Sequence, residues 1–98
     1  QCLLNWARPM LRLKPTPIFL EDVARLQALG YDLEPLQYVI KLLANEKKLN
    51  RQYVDHPLRS NYQGMRECHM EDDWLLIYQA EKGILHLVAT GTHKDLFD

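Results

Sequence analysis

The sequence predicts an α+β domain in which a two-helix hairpin packs on a twisted antiparallel sheet, in the order β-α-α-β-β-β. The first half contains two stretches whose apolar residues follow helical spacing. The second half contains three strand-like segments, at about 64–70, 73–80 and 84–90. The links between these segments are too short for parallel crossovers, so they form an antiparallel meander. Helices and antiparallel strands that are separated along the chain are typical of the α+β class.

Length and composition are those of one small domain. The chain has 98 residues, of which 47% are hydrophobic, enough to form a single core. Met10 looks like a natural initiator, so we expect residues 1–9 to be an upstream extension or a cloning remnant and residues 10–98 to be the domain. Residues 1–9 do not resemble a secretory signal, and no apolar run approaches the roughly 20 residues that span a membrane. Two cysteines give no disulfide framework, which favours a reduced, cytoplasmic setting.

The first two elements have clear local signals. Leu11–Thr16 alternates apolar and polar residues and predicts a first strand, which Pro15 restricts to an edge or short strand. Thr16 can then cap a helix whose first residue is Pro17, and Gly30 is a natural stop. The apolar stripe predicted for this helix consists of Phe19, Val23, Leu26 and Leu29.

The second helix begins near Asp32, whose side chain can cap it, and tolerates Pro35 in its first turn. Residues 47–63 read as a polar loop, and residues 81–83 as the turn between the last two strands. The apolar stripe of the second helix consists of Leu36, Val39, Ile40 and Leu43.

Positive charge is concentrated in one segment, although the chain as a whole has a formal net charge of −1. Residues 47–66 carry five basic side chains against Asp55 alone, a net charge of +4. Such a segment can meet the phosphates of a nucleic acid, or it can be a solvated loop. Its basic residues are Lys47, Lys48, Arg51, Arg59 and Arg66.

Four side chains suited to proton transfer fall near the ends of segments, where antiparallel strands can bring them together. They are His56, His69, Asp73 and His93. Cleavage of RNA by its own 2′-hydroxyl needs one group to remove a proton, another to protonate the leaving oxygen, and a cation on the phosphate. Imidazole suits both proton roles near neutral pH. Taken singly, His56 also fits an ordinary surface residue, Asp73 a turn residue bonded to backbone amides, and His93 part of a tight turn.

Two further side chains have alternative interpretations. Trp74 is either a core residue or a surface on which a base stacks. Cys68 is most simply a small buried hydrophobe. A zinc site needs about four convergent ligands, and no spacing in the sequence supplies them, so no metal or cofactor is predicted.

Together these segments resemble the YafQ-type toxins of the RelE superfamily, the ribosome-dependent messenger-RNA interferases of bacterial type II toxin–antitoxin systems. The resemblance extends from about Met10 to Phe97, and the fold of that family agrees with the elements predicted above. Its most specific motifs are Asp55–Leu58, Arg66–His69, Asp73–Tyr78 and Thr90–His93, followed by Leu96 and Phe97.

The resemblance implies an active cleft lined by His56, His69, Asp73 and His93. We expect His69 and His93 to matter most to proton transfer. His56 would contact the RNA backbone or share a proton role, and Asp73 would act as a base or orient an imidazole. The aromatic residues that would support the site or touch RNA are Trp74 and Phe97.

The resemblance also implies partners. It predicts a dedicated antitoxin, usually with a ribbon-helix-helix DNA-binding part, which lays a C-terminal segment over the toxin. Through that antitoxin the complex would bind operator DNA and repress its own operon. The ribosome and translated messenger RNA complete the expected set, and no membrane is implied.

One residue departs from the family pattern. Before Thr-Gly-Thr-His the family normally has arginine, and this chain has Ala89. Arginine is always charged and can clamp a phosphate through two parallel hydrogen bonds, which alanine cannot do. We therefore expect a strongly weakened ribonuclease, through either an engineered detoxifying change or natural loss of activity. Two other functions stay open: an inactive homologue that binds the antitoxin as a co-repressor, and a small RNA-binding module.

Overall fold

The computed structural model describes residues 10–58, 64–71 and 73–97. They form a five-stranded sheet with two long helices and a short C-terminal one, which confirms the predicted α+β class. In chain order the elements are β1 (Arg12–Pro15), α1 (Pro17–Ala28), α2 (Glu34–Ala44), a 3₁₀ turn (Arg51–Tyr53), β2 (His56–Pro57), β3 (Arg66–Glu71), β4 (Trp74–Glu81), β5 (Ile84–Gly91) and α3 (His93–Phe97).

The strands lie in the order β1-β5-β4-β3-β2. Strands β2 to β5 pair antiparallel, as the short links between the last three predict. Strand β1 is an edge strand, as Pro15 predicts, but it pairs parallel to β5, with Leu13 opposite Leu85. The sheet is therefore mixed, and the prediction of a wholly antiparallel sheet is wrong for this one pair.

The starts of both helices agree with the predicted caps. Thr16 Oγ1 accepts a hydrogen bond from the Phe19 amide at 2.9 Å and donates one to the Val88 carbonyl at 2.8 Å, so the α1 cap is also tied to β5. Asp32 Oδ1 accepts from the Glu34 amide at 3.0 Å at the start of α2. Local side-chain bonds of this kind satisfy the amides that a helix leaves unpaired in its first turn.

The hydrophobic core lies between the helices and one face of the sheet. Both predicted helix stripes contribute to it, with one exception. Leu29 is 68% exposed because α1 ends at Ala28 and the chain turns away at Gly30, whose φ of +92° favours glycine. The sheet residues of the core are Cys68, Trp74, Leu76, Tyr78, Leu85 and Leu87. None of the helices among the described residues has the length and apolar content to cross a membrane.

Three short elements were not predicted. The 3₁₀ turn and strand β2 lie inside the segment predicted as a polar loop, and α3 begins at His93, for which a tight turn was one of the predicted alternatives. Elements of two to five residues carry too little periodicity to be recognised. The predicted extension at residues 1–9 and the predicted RNA contact Arg59 lie outside the described residues.

Candidate active site

The candidate site lies on the sheet face away from the helices. Successive side chains of a strand point to opposite faces. Cys68 belongs to the core beneath the helices, so its neighbours Glu67 and His69 point to the other face, which we call the open face. By the same alternation Leu75 and Ile77 of β4 lie on the open face, where they are 0% and 1% exposed. These two apolar residues form the floor of the site.

Strand pairing aligns the polar residues in a row. His56 pairs with Glu67, Glu67 with Ile77, and Ile77 with Ala89, which crosses β2, β3, β4 and β5. Residues paired directly across strands share a face of the sheet. Ala89 therefore lies on the open face, in the same row as His56 and Glu67 and two strands, or about 10 Å, from Glu67.

An irregularity in β5 gives Ala89 this orientation. Tyr78 pairs with Leu87, but its neighbour Ile77 pairs with Ala89, which leaves Val88 as an extra residue in β5. Leu85 and Leu87 face the core, and strict alternation would turn Ala89 toward the core as well. The β-bulge reverses the direction of the side chains that follow it. Position 89, at which the resemblance predicts arginine, thus opens toward the histidines.

Three imidazoles and one phenyl ring follow one another across the open face. The ring centroids of His56 and His69 are 6.4 Å apart, and those of His69 and His93 are 5.9 Å apart. The His93 and Phe97 rings are 6.2 Å apart. The structure therefore brings together the three histidines that the sequence singled out, with the 42% exposed Phe97 at the end of the line.

Asp73 holds His93 at two points. Its Oδ1 accepts a hydrogen bond from the His93 amide at 3.0 Å and lies 2.7 Å from His93 Nδ1. Because of these bonds, first the amide and then the imidazole, the pKa of Asp73 is lowered below its usual value. A proton on Nδ1 satisfies the carboxylate and leaves Nε2 of His93 for a substrate. Of the two roles predicted for Asp73, the geometry supports that of orienting an imidazole.

Glu67 is a candidate residue that the sequence reasoning missed. Its side chain is only 6% exposed, and its Oε1 lies 2.9 Å from His56 Nε2 and 3.8 Å from His69 Nε2. The carboxylate therefore sits between two of the predicted proton-transfer residues. The available signal was its place two residues before His69 in a strand, which puts both side chains on one face.

Two residues predicted to contact RNA interact with other parts of the protein instead. Trp74 is 2% exposed, its ring packs edge-on to Tyr31 at 5.1 Å, and its Nε1 donates to Thr90 Oγ1 at 3.0 Å. A buried ring cannot stack a base, so Trp74 is a core residue. Arg66 pairs across the sheet with Tyr78 of the core face, and its Nε donates to Asp55 Oδ1 at 3.1 Å. Its charge is directed at a carboxylate rather than at the open face.

The remaining predicted cations lie in the chain segment before β2. Lys47 and Lys48 follow α2 and are exposed, and the exposed Arg51 opens the 3₁₀ turn that contacts β3.

Asp55 in this segment also accepts a 2.7 Å hydrogen bond from the Tyr78 hydroxyl. Burial and this bond to a carboxylate raise the pKa of Tyr78, which therefore stays a neutral donor. Burial likewise raises the pKa of the Cys68 thiol to about 12, in keeping with its predicted role as an inert core residue.

A buried polar network holds the strand that leads to His93. Asp22 of α1 accepts a hydrogen bond from the Thr90 amide at 3.1 Å and one from Arg25 Nη1 at 2.8 Å. Thr90 Oγ1 donates to the Leu75 carbonyl at 2.7 Å. Helix α1 and strand β4 are thereby bonded to the end of β5, which fixes the point at which α3 and His93 begin.

Comparisons with known proteins identify the family of this chain. Residues 11–98 match the model of a family described as the bacterial toxin of a type II toxin–antitoxin system, YafQ. The mRNA interferase toxin YafQ of Escherichia coli strain BL21-DE3 is 41% identical over 80 residues, which cover 81% of this chain and 87% of that protein.

Solved structures show the same fold. The E. coli DinJ–YafQ complex matches with a TM-score of 0.84 and 37% identity, covering 90% of this chain and 99% of that one. A copper-bound mutant toxin from Helicobacter pylori matches with a TM-score of 0.87 and 34% identity, covering 90% of this chain and 100% of that one. The chain therefore belongs to the YafQ family of toxins from type II toxin–antitoxin systems.

Proposed function

We propose that this chain has the active site of a ribosome-dependent messenger-RNA endoribonuclease, with activity strongly reduced by Ala89. The observation that carries the proposal is the line of three imidazoles in which His93 is oriented by Asp73. E. coli relatives of the same family are named mRNA interferase toxins, which supports RNA as the substrate class.

The proposed reaction needs two proton transfers. A base removes the proton of a ribose 2′-hydroxyl, the oxygen attacks the adjacent phosphorus, and the bond to the leaving 5′-oxygen breaks while an acid protonates that oxygen. His69 and His93, whose rings are neighbours, supply the two groups. Each has a carboxylate beside it, Glu67 at 3.8 Å and Asp73 at 2.7 Å, which stabilises the charged imidazolium.

The other predicted residues have supporting roles in this proposal. His56, whose ring is next to His69, contacts the RNA backbone or shares a proton role. Phe97 has a partly exposed ring next to His93, on which a base can stack. Lys47, Lys48 and Arg51 are exposed cations for the RNA backbone. The ribosome aligns the message, so that a small domain of modest intrinsic reactivity suffices.

The missing element is a cation for the crowded phosphate. The row through Glu67, Ile77 and Ala89 ends in a methyl group. The resemblance predicts arginine at that position. Removing one group that stabilises transition-state charge costs roughly 10²–10³ in rate in comparable enzymes. Ala89 is therefore the reason to expect weak cleavage from the proposed site.

The test restores that cation. Ala89→Arg should raise cleavage of translated RNA by about 10²–10³-fold in a ribosome-containing reaction, and it should arrest growth when expressed. Ala89→Met is the matched control, because it adds length without charge and should leave cleavage unchanged. An Ala89→Arg protein that is folded yet cleaves no RNA in the presence of ribosomes would exclude the nuclease proposal.

Ala89 also supports a second candidate function, that of an inactive toxin homologue. The DinJ–YafQ complex shows that a relative binds an antitoxin. We propose that this chain binds its own antitoxin, of ribbon-helix-helix type, and through it represses operator DNA. Tight binding of the neighbouring gene's product, together with no gain of cleavage in Ala89→Arg, would favour this function over the first.

A further inference from the structure

We propose that Arg12 and Lys14 of β1 form a cationic strip that binds the phosphodiester backbone of single-stranded RNA and extends the candidate site along the open face. The choice of RNA as the ligand rests on the proposed function, whereas the position of the strip follows from the fold. The sequence pattern predicted only an edge strand here, and it placed the segment that can meet phosphates elsewhere, at residues 47–66.

The pairing of β1 determines the direction of the two cationic side chains. Leu13 pairs with Leu85, which belongs to the core beneath the helices. Successive side chains of a strand point to opposite faces, so Arg12 and Lys14 point to the open face. Both residues are exposed on this edge strand. The cationic strip therefore shares a face of the sheet with the three histidines of the candidate site.

The cationic strip adjoins the candidate site. Lys14 pairs with His86, and Ala89 follows His86 along the same strand, β5. At about 3.3 Å per residue along β5 and about 4.8 Å between strands, the Cα atoms of Lys14 and Ala89 are roughly 10 Å apart. The flexible four-carbon stem of lysine brings its charge closer to position 89. An RNA strand bound at the histidines can thus continue across position 89 onto the strip.

The charges of the strip are available to a ligand. Among the residues that the structure describes, the ion pairs include neither Arg12 nor Lys14, whereas Arg25 and Arg66 are each paired with an aspartate. Arginine can hold a phosphate through two parallel hydrogen bonds, and lysine binds it as a compact point charge. The two side chains therefore suit successive phosphates of an RNA backbone.

One acidic side chain shares this part of the open face. Glu81 pairs with Ile84, which in turn pairs with Arg12, so the three residues lie in one row across the sheet. The Glu81 carboxylate lies 3.7 Å from Nε2 of His86 and is directed at that imidazole. His86 is therefore not assigned to the strip, and the charges of Arg12 and Lys14 still outnumber that of Glu81.

The test measures binding of the whole chain to a single-stranded RNA whose 2′-hydroxyl groups are methylated, so that it cannot be cleaved. Fluorescence anisotropy without ribosomes gives the affinity at several salt concentrations. Each phosphate contact on a single strand contributes about 0.7 to the slope of log affinity against log salt, so the slope for Arg12→Gln/Lys14→Gln should be shallower by about 1.4. The change should be the same for RNAs of different sequence, because backbone contacts do not read bases.

Lys41→Gln is the matched control. Lys41 is exposed on α2, which lies on the other side of the sheet, so its loss should leave the slope unchanged. Circular dichroism of each variant establishes that it is folded. An unchanged slope in the double variant, or an equal change in Lys41→Gln, overturns the proposal. A double variant that binds RNA normally but loses affinity for the antitoxin also overturns it, because the strip would then be a protein interface.

A cleavage measurement separates this proposal from the nuclease proposal. In the Ala89→Arg background, the double variant should raise KM several-fold and leave kcat unchanged, because the strip holds RNA away from the reacting bonds. A fall in kcat at unchanged KM would contradict a role in RNA binding. If Ala89→Arg cleaves no RNA, the nuclease proposal fails, while the salt dependence of RNA binding still decides whether the strip exists.

Discussion

The two faces of the sheet are built from the same strands but differ in almost every property. The helix face carries a continuous apolar cluster in which Leu76 and Leu85 are 0% exposed. The open face carries the carboxylates and imidazoles, and at its rim the side chains of Asp73 and His93 are 59% and 58% exposed. Because neighbouring residues of one strand supply both faces, stability and chemistry are encoded at alternate positions.

The two faces should therefore respond differently to substitution. Changes to the exposed candidate site residues of the open face should alter cleavage with little effect on the free energy of unfolding. Changes on the helix face should do the reverse. Cleavage is measured in the Ala89→Arg background, since that variant provides the activity to be lost.

The largest expected effect is on the open face. His93→Ala should reduce cleavage by about 10²–10⁴-fold, because it removes one of the two proton-transfer groups. The free energy of unfolding should change by no more than about 0.5 kcal/mol, as for other exposed positions. RNA cleavage and urea unfolding measure the two quantities. His86→Ala is the control, and an equal loss of cleavage there would contradict a specific role for His93.

The next effect is on the helix face. Leu76→Ala should lower the free energy of unfolding by about 2–5 kcal/mol, because a fully buried side chain leaves a cavity. Leu13→Ala, at a site 49% exposed, should change it by no more than about 0.5 kcal/mol. Cleavage per folded molecule should stay within a few fold of the parent. A large fall in that quantity would show that the two faces are coupled.

A smaller effect tests the network that joins the faces. Asp22→Ala removes the buried acceptor of the Thr90 amide and should cost about 1–3 kcal/mol of unfolding free energy. It should also reduce cleavage several-fold, because the end of β5 positions His93. Glu21→Ala, an exposed neighbour on α1, is the control for both measurements. Destabilisation without any loss of cleavage would show that the network is structural only.

The smallest effect concerns acid stability. The folded-state pKa of Asp73 is lowered, mainly by the His93 amide bond, so the charged carboxylate stabilises the fold. That contribution is fully present above the unfolded value of about 3.9 and is lost as pH falls through the lower folded value. Asp73→Asn should therefore be less stable than the parent at pH 6, and the difference should shrink as the pH falls below the usual pKa of an aspartate. A difference independent of pH would contradict this origin.

The helices and the core were predictable because their signals are local. The Thr16 cap, Pro17 in the first turn and the stop at Gly30 all act within a few residues of one another. The apolar stripes follow the helical period and are buried or partly buried in the core, apart from Leu29, which lies beyond the last helical residue. The antiparallel meander of β3 to β5 followed from its short links.

The site was predictable only in part. The sequence singled out the three histidines and Asp73, but it did not identify Glu67 as their neighbour, because the pairing of His56 with Glu67 depends on the register of β2 against β3. A two-residue strand carries no periodic signal from which that register can be read. Whether Trp74 is a core residue or a stacking surface for a base could likewise be decided only from the tertiary structure, in which its ring is buried.

The sequence by itself determined which chemical groups are present and which segments become the two long helices and the three strands of the antiparallel meander. Only the tertiary structure decided where Ala89 points. Val88 is one extra residue in β5, and it reverses the face of the sheet to which the following side chains point. Position 89 therefore faces the imidazoles instead of the core. A bulge is defined by the pairing of two strands, and the sequence of one strand does not contain it.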